Sequence, residues 1–151
     1  AARAAGAISV LNTAPYSDDA VDLLELADYV VANETEFDLW AGALGLKGED
    51  REARMRDFVA RTGHAVIVTL GGEGVLAAAP EGFFRVAALA VTPIDTVGAG
   101  DTFCGYLGAA LERGEPLEAA LRRAAVAGSL ACLKPGAQPA IPLGEDVEAR
   151  L

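Results

Sequence analysis

The sequence predicts an α/β fold: a three-layer α/β/α sandwich on a mostly parallel sheet, formed by residues 1–151 as part of one domain. Three observations carry this. Short apolar runs alternate with longer amphipathic ones in the order strand, helix, strand, helix, strand, the pattern of a parallel sheet with right-handed crossovers. The strand runs lack polar alternation, as strands covered on both faces do. Glycine-rich or capping turns follow the strands, at the edge where open α/β sheets bind ligands.

Taken in order, residues 7–11 form an apolar run after Gly6 and read as the first strand, with residues 12–15 as the loop beyond it. Ser17 is placed to cap a helix with Asp18 and Asp19 in its first turn and Ala20, Leu23, Leu24 and Ala27 inside. Residues 29–32 are the next strand, and a helix over 34–41 is expected to end at Gly42. A helix over about 50–61 turns Met55, Phe58, Val59 and Thr62 inward. Residues 65–70 are the most β-like stretch of the chain. Residues 75–79 and 83–87 flank Pro80-Glu81-Gly82 as a hairpin, and 91–94 reads as a short edge strand.

A helix then opens at Gly98–Asp101, with Phe103, Cys104, Leu107 and Leu111 on one face and Asp101 at or near its N-cap. Pro116 starts the next helix, whose inner face is Leu117, Ala120, Leu121, Ala124, Gly128, Ala131 and Cys132. Lys134-Pro135-Gly136-Ala137 stops it, and residues 145–151 form a terminal helix.

Composition narrows the function. Of the 151 residues, 52% are hydrophobic and 23% charged, which fits a packed globular chain rather than a disordered one. The net charge of −10 argues against nucleic acid or an anionic membrane as partner, while leaving room for a nucleotide held by local donors. Cys104 and Cys132 read as small core side chains in a reducing, cytoplasmic setting. No apolar run reaches membrane-span length and no signal peptide is visible. The chain starts at Ala1, inside what reads as a helix end, which suggests a fragment or a processed chain.

Asp95-Thr96-Val97-Gly98-Ala99-Gly100-Asp101-Thr102 is the stretch with chemistry in it. Backbone N–H groups at a helix start, with the positive end of its dipole, make an anion site, and glycine lets the anion approach the main chain. An acid there would repel a phosphate unless it takes a proton from a hydroxyl that attacks that phosphate. The plain alternative is a capping aspartate. Asn33-Glu34-Thr35-Glu36 likewise has two readings, a capping box or a pair near nucleotide phosphates with Glu36 holding Mg²⁺ through water. Residues 69–74, T-L-G-G-E-G, read either as a turn needing positive φ or as a loop against which a nucleotide lies. His64, the sole histidine, reads as structural or surface, and Trp40 and Tyr29 as packing. A dinucleotide dehydrogenase is disfavoured because the first strand–helix turn lacks G-x-G-x-x-G.

DTVGAGDTF resembles the second signature of the ribokinase-like (PfkB) carbohydrate kinases, and NxAP, NETE, TLGxxG and GAxPxIP match that family in order and spacing from Asn12 to Pro142. The resemblance implies a Rossmann-like fold of which this chain is the C-terminal half, without the N-terminal half and its β lid. That lid usually makes the family's homodimer. It also implies ATP-dependent phosphorylation of a sugar hydroxyl, with Asp101 as catalytic base and substrate contact and Gly98, Ala99 and Gly100 as anion hole. Asn33, Thr69, Gly71 and Gly74 become nucleotide contacts and Glu36 the Mg²⁺ residue.

A K⁺ site follows from the same resemblance, with the Asp95 carboxylate and the carbonyls of Val97, Ala131, Lys134 and Gly136. The chain departs from the family at Pro135, where a lysine is usual, at Ala125, where an asparagine meets adenine, and at Ala140, where a serine often completes the cation site. Within the family, NETE and GAQPAIP favour ribose over fructose, adenosine or 2-keto-3-deoxygluconate. The other class of reading is a non-catalytic nucleotide-binding half.

Overall fold

The computed structural model describes residues 2–151 and divides them into two compact units. The first comprises the chain up to Leu70 together with Leu76–Arg85, the second Gly71–Val75 together with Val86–Leu151.

The first unit is organised by a five-stranded sheet in the order β1 (Val10–Asn12), β2 (Tyr29–Asn33), β3 (Ala65–Thr69), β4 (Val75–Ala79), β5 (Gly82–Val86). β1 to β3 run parallel, with Val10 opposite Tyr29 and Val30 opposite Val66. Val30, Val66, Ile67 and Val68 are fully buried, which is what an unbroken apolar strand requires. Pro80 and Glu81 turn the chain from β4 into β5, so the expected hairpin is present.

Helices α2 (Glu34–Ala43) and α3 (Arg51–Thr62) pack on this sheet after a short α1 (Val21–Leu24). The core between them is aromatic. Trp40 stands edge-on to Phe37 at 4.8 Å and to Phe58 at 5.4 Å between ring centroids, and all three are fully buried with Met55. Each such side chain contributes about 1.5–3 kcal/mol by leaving water, so this cluster is the main reason α2 and α3 stay docked. Trp40 is thus packing, as expected. Asp50 caps α3 by accepting from the Ala53 amide at 2.8 Å, and Gly63 ends it at φ +72°.

In the second unit, α4 (Ala99–Glu112) packs along α5 (Leu117–Ala131), and α6 (Gly144–Glu148) packs on α5. Small residues make the close approach possible: Ala110, Ala120, Ala124 and Ala127 are fully buried. A Cβ on Gly128 would stand 3.2 Å from the Ala99 carbonyl, so α5 sits directly under the first turn of α4. The Tyr106 hydroxyl donates to the Pro142 carbonyl at 2.7 Å, and Arg123 reaches both Glu115 and Glu148, fastening the C-terminal segment to α4 and α5.

Several expectations are corrected. The first strand begins at Val10 rather than at residue 7, because Ser9 is engaged by the Asp28 carboxylate through both its amide and its hydroxyl. Ser17 makes no side-chain cap; its segment opens as a 3-10 turn (Asp18–Ala20), and Leu23 is exposed while Leu24 and Ala27 are buried. Gly42 lies inside α2. The helix instead ends at Gly45 (φ +60°), where Gly45 N–H donates to Gly42 and Leu46 N–H to Ala41, the two bonds of a Schellman ending.

Residues 91–94 form no strand, and the Ile94 amide donates to the Cys132 carbonyl instead. The terminal helix is only α6 (Gly144–Glu148). The reading of Ala1 as part of a helix end lies outside the described residues.

Candidate functional site

At the C-terminal ends of β2 and β3 the structure brings Asn33, Glu36 and Thr69 together. Asn33 and Thr69 are register partners. Asn33 is the N-cap of α2, its side chain accepting from the Glu36 amide at 2.9 Å while Glu36 Oε2 accepts from the Asn33 amide at 3.0 Å. The capping box is therefore real. It places a largely buried carboxylate at the positive end of α2 with one oxygen committed to the backbone. The Thr69 hydroxyl donates to the Ala32 carbonyl at 3.4 Å.

The glycines after β3 differ from each other. Gly71, exposed at φ +56°, has open space where a Cβ would stand. Gly74 is buried at φ +109°, and a Cβ there would stand 2.0 Å from the Val86 carbonyl oxygen. Its lack of a side chain is thus demanded by the chain itself, the turn reading of that position.

The 95–101 turn is built within the second unit. Gly98, at φ +78°, is the N-cap of α4 and carries no side-chain cap. Asp101 is therefore near the cap, as expected, as the third helical residue, and the cap itself is Gly98, whose freedom to adopt the left-handed region allows it. Its side chain is exposed. The Thr102 amide closes the first helical bond to the Gly98 carbonyl at 2.9 Å.

Ala99 N–H donates to Thr96 at 3.3 Å, so it is already engaged. The amides of Gly98, Gly100 and Asp101 have no acceptor among the described residues. Of the expected anion donors Gly98, Ala99 and Gly100, Ala99 is therefore engaged by the backbone, while Gly98 and Gly100, with Asp101 next to them, keep open amides among the described residues. The adjacent Thr102 hydroxyl, buried without a partner, was not legible, since a threonine after an acid reads only as helix.

Asp95 accepts from the Val97 amide at 3.0 Å through Oδ1 and from the Gly136 amide at 2.8 Å through Oδ2. The Gly136 and then the Val97 amide hold its carboxyl below the usual carboxylate range. Among the described residues no three His, Cys, Asp or Glu side chains gather as a metal cluster, so a cation beside Asp95 would rest on carbonyl oxygens. Ala131 is the last residue of α5, and Lys134 is exposed in the loop that follows. Ala125 and Ala140, where the resemblance led to the expectation of polar groups, are buried. Sequence reasoning also missed Ala137: a Cβ on Gly98 would stand 2.7 Å from the Ala137 Cβ.

Cys104, on the same helix as Asp101, has its thiol pushed up to about 11 from 9.0, first by burial and then by the Asp101 charge. Only the thiolate alkylates. At pH 8 iodoacetamide should therefore label Cys104 roughly 100-fold more slowly than an unperturbed thiol, two pKa units lower in thiolate, as peptide mass mapping of a labelling time course would show. Labelling at the rate of a free thiol would overturn this. Among the described residues no helix is long and apolar enough to cross a membrane.

Residues 1–143 match the pfkB family of carbohydrate kinases, and the chain belongs to that family. It is 35% identical over 147 residues to the ribokinase of Staphylococcus aureus, an alignment that covers 97% of this chain and 48% of that protein. Its fold is that of a ribokinase crystal structure from Thermotoga maritima, with a TM-score of 0.87 at 29% identity over 95% of this chain and 48% of the other. A putative ribokinase II from E. coli in complex with ATP and Mg²⁺ has a TM-score of 0.83 at 25% identity, covering 97% of this chain and 49% of that one. The chain thus spans about half the length of the relatives it matches. The expected α/β fold and family are both found.

Proposed function

We propose that this chain supplies the nucleotide-binding half of an ATP-dependent kinase that phosphorylates a sugar hydroxyl, converting D-ribose to ribose 5-phosphate. The observation that carries this reading is the exposed carboxylate of Asp101 on the first turn of α4, beside the amides of Gly98, Gly100 and Asp101 that have no acceptor among the described residues. Asp101 takes the proton of the sugar's primary hydroxyl as that oxygen attacks the γ-phosphorus. The bond from the γ-phosphorus to the β–γ bridging oxygen breaks and ADP leaves. The three amides and the helix dipole hold the charge on the transferring phosphoryl group, so the protein supplies positioning and electrostatics rather than covalent chemistry.

Asn33, Thr69 and Gly71 are the nucleotide contacts of this reading. Glu36 fits a hydrated Mg²⁺, since one of its oxygens remains beyond the Asn33 amide bond. Mg²⁺, when bound, supplies neutralisation of phosphate charge. K⁺ beside Asp95 and the carbonyls of Val97, Ala131, Lys134 and Gly136 is compatible with a carboxylate that keeps lone pairs free after accepting two amides. The relative solved with ATP and Mg²⁺ supports the nucleotide and the metal, and the ribokinase relative supports ribose.

In a second reading the chain alone binds ATP without turning it over. ADP release from ATP, Mg²⁺, K⁺ and ribose separates the two. The chain alone should give almost none. Joined to the half of that relative it does not cover, it should give ribose-dependent ADP, ahead of fructose, adenosine and 2-keto-3-deoxygluconate. A joined protein that binds ATP but shows no acceptor-dependent release would leave only the binding role.

A further inference from the structure

The loop after α5 holds the 94–98 segment at three places. The Cys132 carbonyl accepts from the amides of Ile94 at 2.8 Å and Asp95 at 3.3 Å. Asp95 Oδ2 accepts from the Gly136 amide at 2.8 Å, while Oδ1 turns the chain by accepting from Val97. Gly98 then lies so close to Ala137 that an added Cβ would meet the Ala137 Cβ at 2.7 Å and its Cα at 2.8 Å. Gly98 carries no side-chain cap, so within α4 only the backbone bond from the Thr102 amide holds it, and the contacts from the loop after α5 add to that bond in directing the Gly98, Gly100 and Asp101 amides.

We infer that Asp95 and Ala137 are positioning residues, a two-point clamp by which the 132–137 loop holds the phosphoryl-binding turn in register. This rests on the reading of that turn as the phosphoryl site. It gives Asp95 a task that needs no cation: a charge-assisted hydrogen bond to a residue 41 positions away. It gives Ala137 a task for its methyl group, the stop against which Gly98 rests. The clamp also couples the loop to the turn, since displacing Gly136 and Ala137 would release both contacts together.

Amide hydrogen exchange by NMR on this chain, in sodium buffer without K⁺, tests the clamp directly. In the wild type the Gly136 amide should be protected by Asp95 and the Thr102 amide by Gly98. Asp95→Ala should abolish Gly136 protection and speed Thr102 exchange about tenfold, the scale of one hydrogen bond to a charged group. Ala137→Gly should leave Gly136 protected and speed Thr102 exchange severalfold. The Ala124 amide, in the middle of α5, should stay unchanged in both variants and so report that the unit remains folded.

Titration with inorganic phosphate supplies the functional arm. It should shift the Gly98, Gly100 and Asp101 amides in the wild type, with binding about tenfold weaker in Asp95→Ala. Thr102 exchange that ignores both substitutions, or Gly136 protection that appears only when K⁺ is added, would overturn the clamp. Phosphate that shifts none of the wild-type turn amides would instead overturn the phosphoryl-site reading, while the exchange data still decide the clamp.

Discussion

Asp101→Asn should bind ATP as the wild type does and transfer phosphoryl about 10²–10⁴-fold more slowly, the usual contribution of a positioned general base. The comparison is made in the joined kinase, by initial rates of ribose-dependent ADP release and by calorimetric ATP titration. Asparagine keeps the shape and volume of the side chain but has no basic oxygen to take the hydroxyl proton. It leaves the turn amides in place, so whatever they contribute to holding phosphate persists. The fold should tolerate the change, since the side chain is exposed and makes no cap. Only the favourable placing of an acid in the first turn of α4 is lost, about 0.3–1 kcal/mol. A drop in turnover without a drop in affinity separates a proton acceptor from a residue that merely shapes the turn. Turnover equal to the wild type would remove Asp101 from the chemistry and leave the turn as an anion site alone.

The parts of this fold that were legible in the sequence are those where one local signal and the tertiary demand agree. β2 and β3 have apolar centres, residues 30–32 and 65–68, and these are buried. The inner stripes of α3, α4 and α5 emerged largely where period 3.6 placed them, with Met55, Phe58 and Leu107 fully buried and Phe103 and Leu111 buried, while Val59, Thr62, Cys104 and Cys132 are only half-buried. The misreadings share a cause: a partner distant in sequence decides the local structure. Residues 91–94 have the composition of a strand, yet the Ile94 amide is taken by the Cys132 carbonyl.

At Gly42 and Gly45 two glycines stand three apart, and only the bonds of the last turn select the second. At Gly98 a glycine with positive φ did the capping that an acid would ordinarily be credited with. The Asp95–Gly136 bond spans 41 positions and leaves no local trace. The motif residues were readable because their types match a family; which contacts they make was not.

Gly74→Ala should unfold the chain more readily by roughly 2–5 kcal/mol, the sum of strain at a φ that L residues avoid and overpacking against a main chain that cannot give. The added methyl would stand 2.0 Å from the Val86 carbonyl oxygen, 2.7 Å from the Ala88 nitrogen and 2.8 Å from the Ala87 Cα, all backbone. No rotamer relieves a Cβ, so the 86–88 segment must move. Gly71→Ala, three residues earlier, meets nothing within 4 Å and has only its φ of +56° to overcome, about 1–2 kcal/mol. Urea denaturation followed by circular dichroism should rank the two accordingly, with Gly74→Ala the worse. ATP affinity, corrected for the folded fraction, should rank them the other way, because Gly71 is the one exposed where a nucleotide can lie against it. A Gly74→Ala protein as stable as the wild type but unable to bind ATP would reverse the assignment, making Gly74 the ligand contact and Gly71 a mere turn.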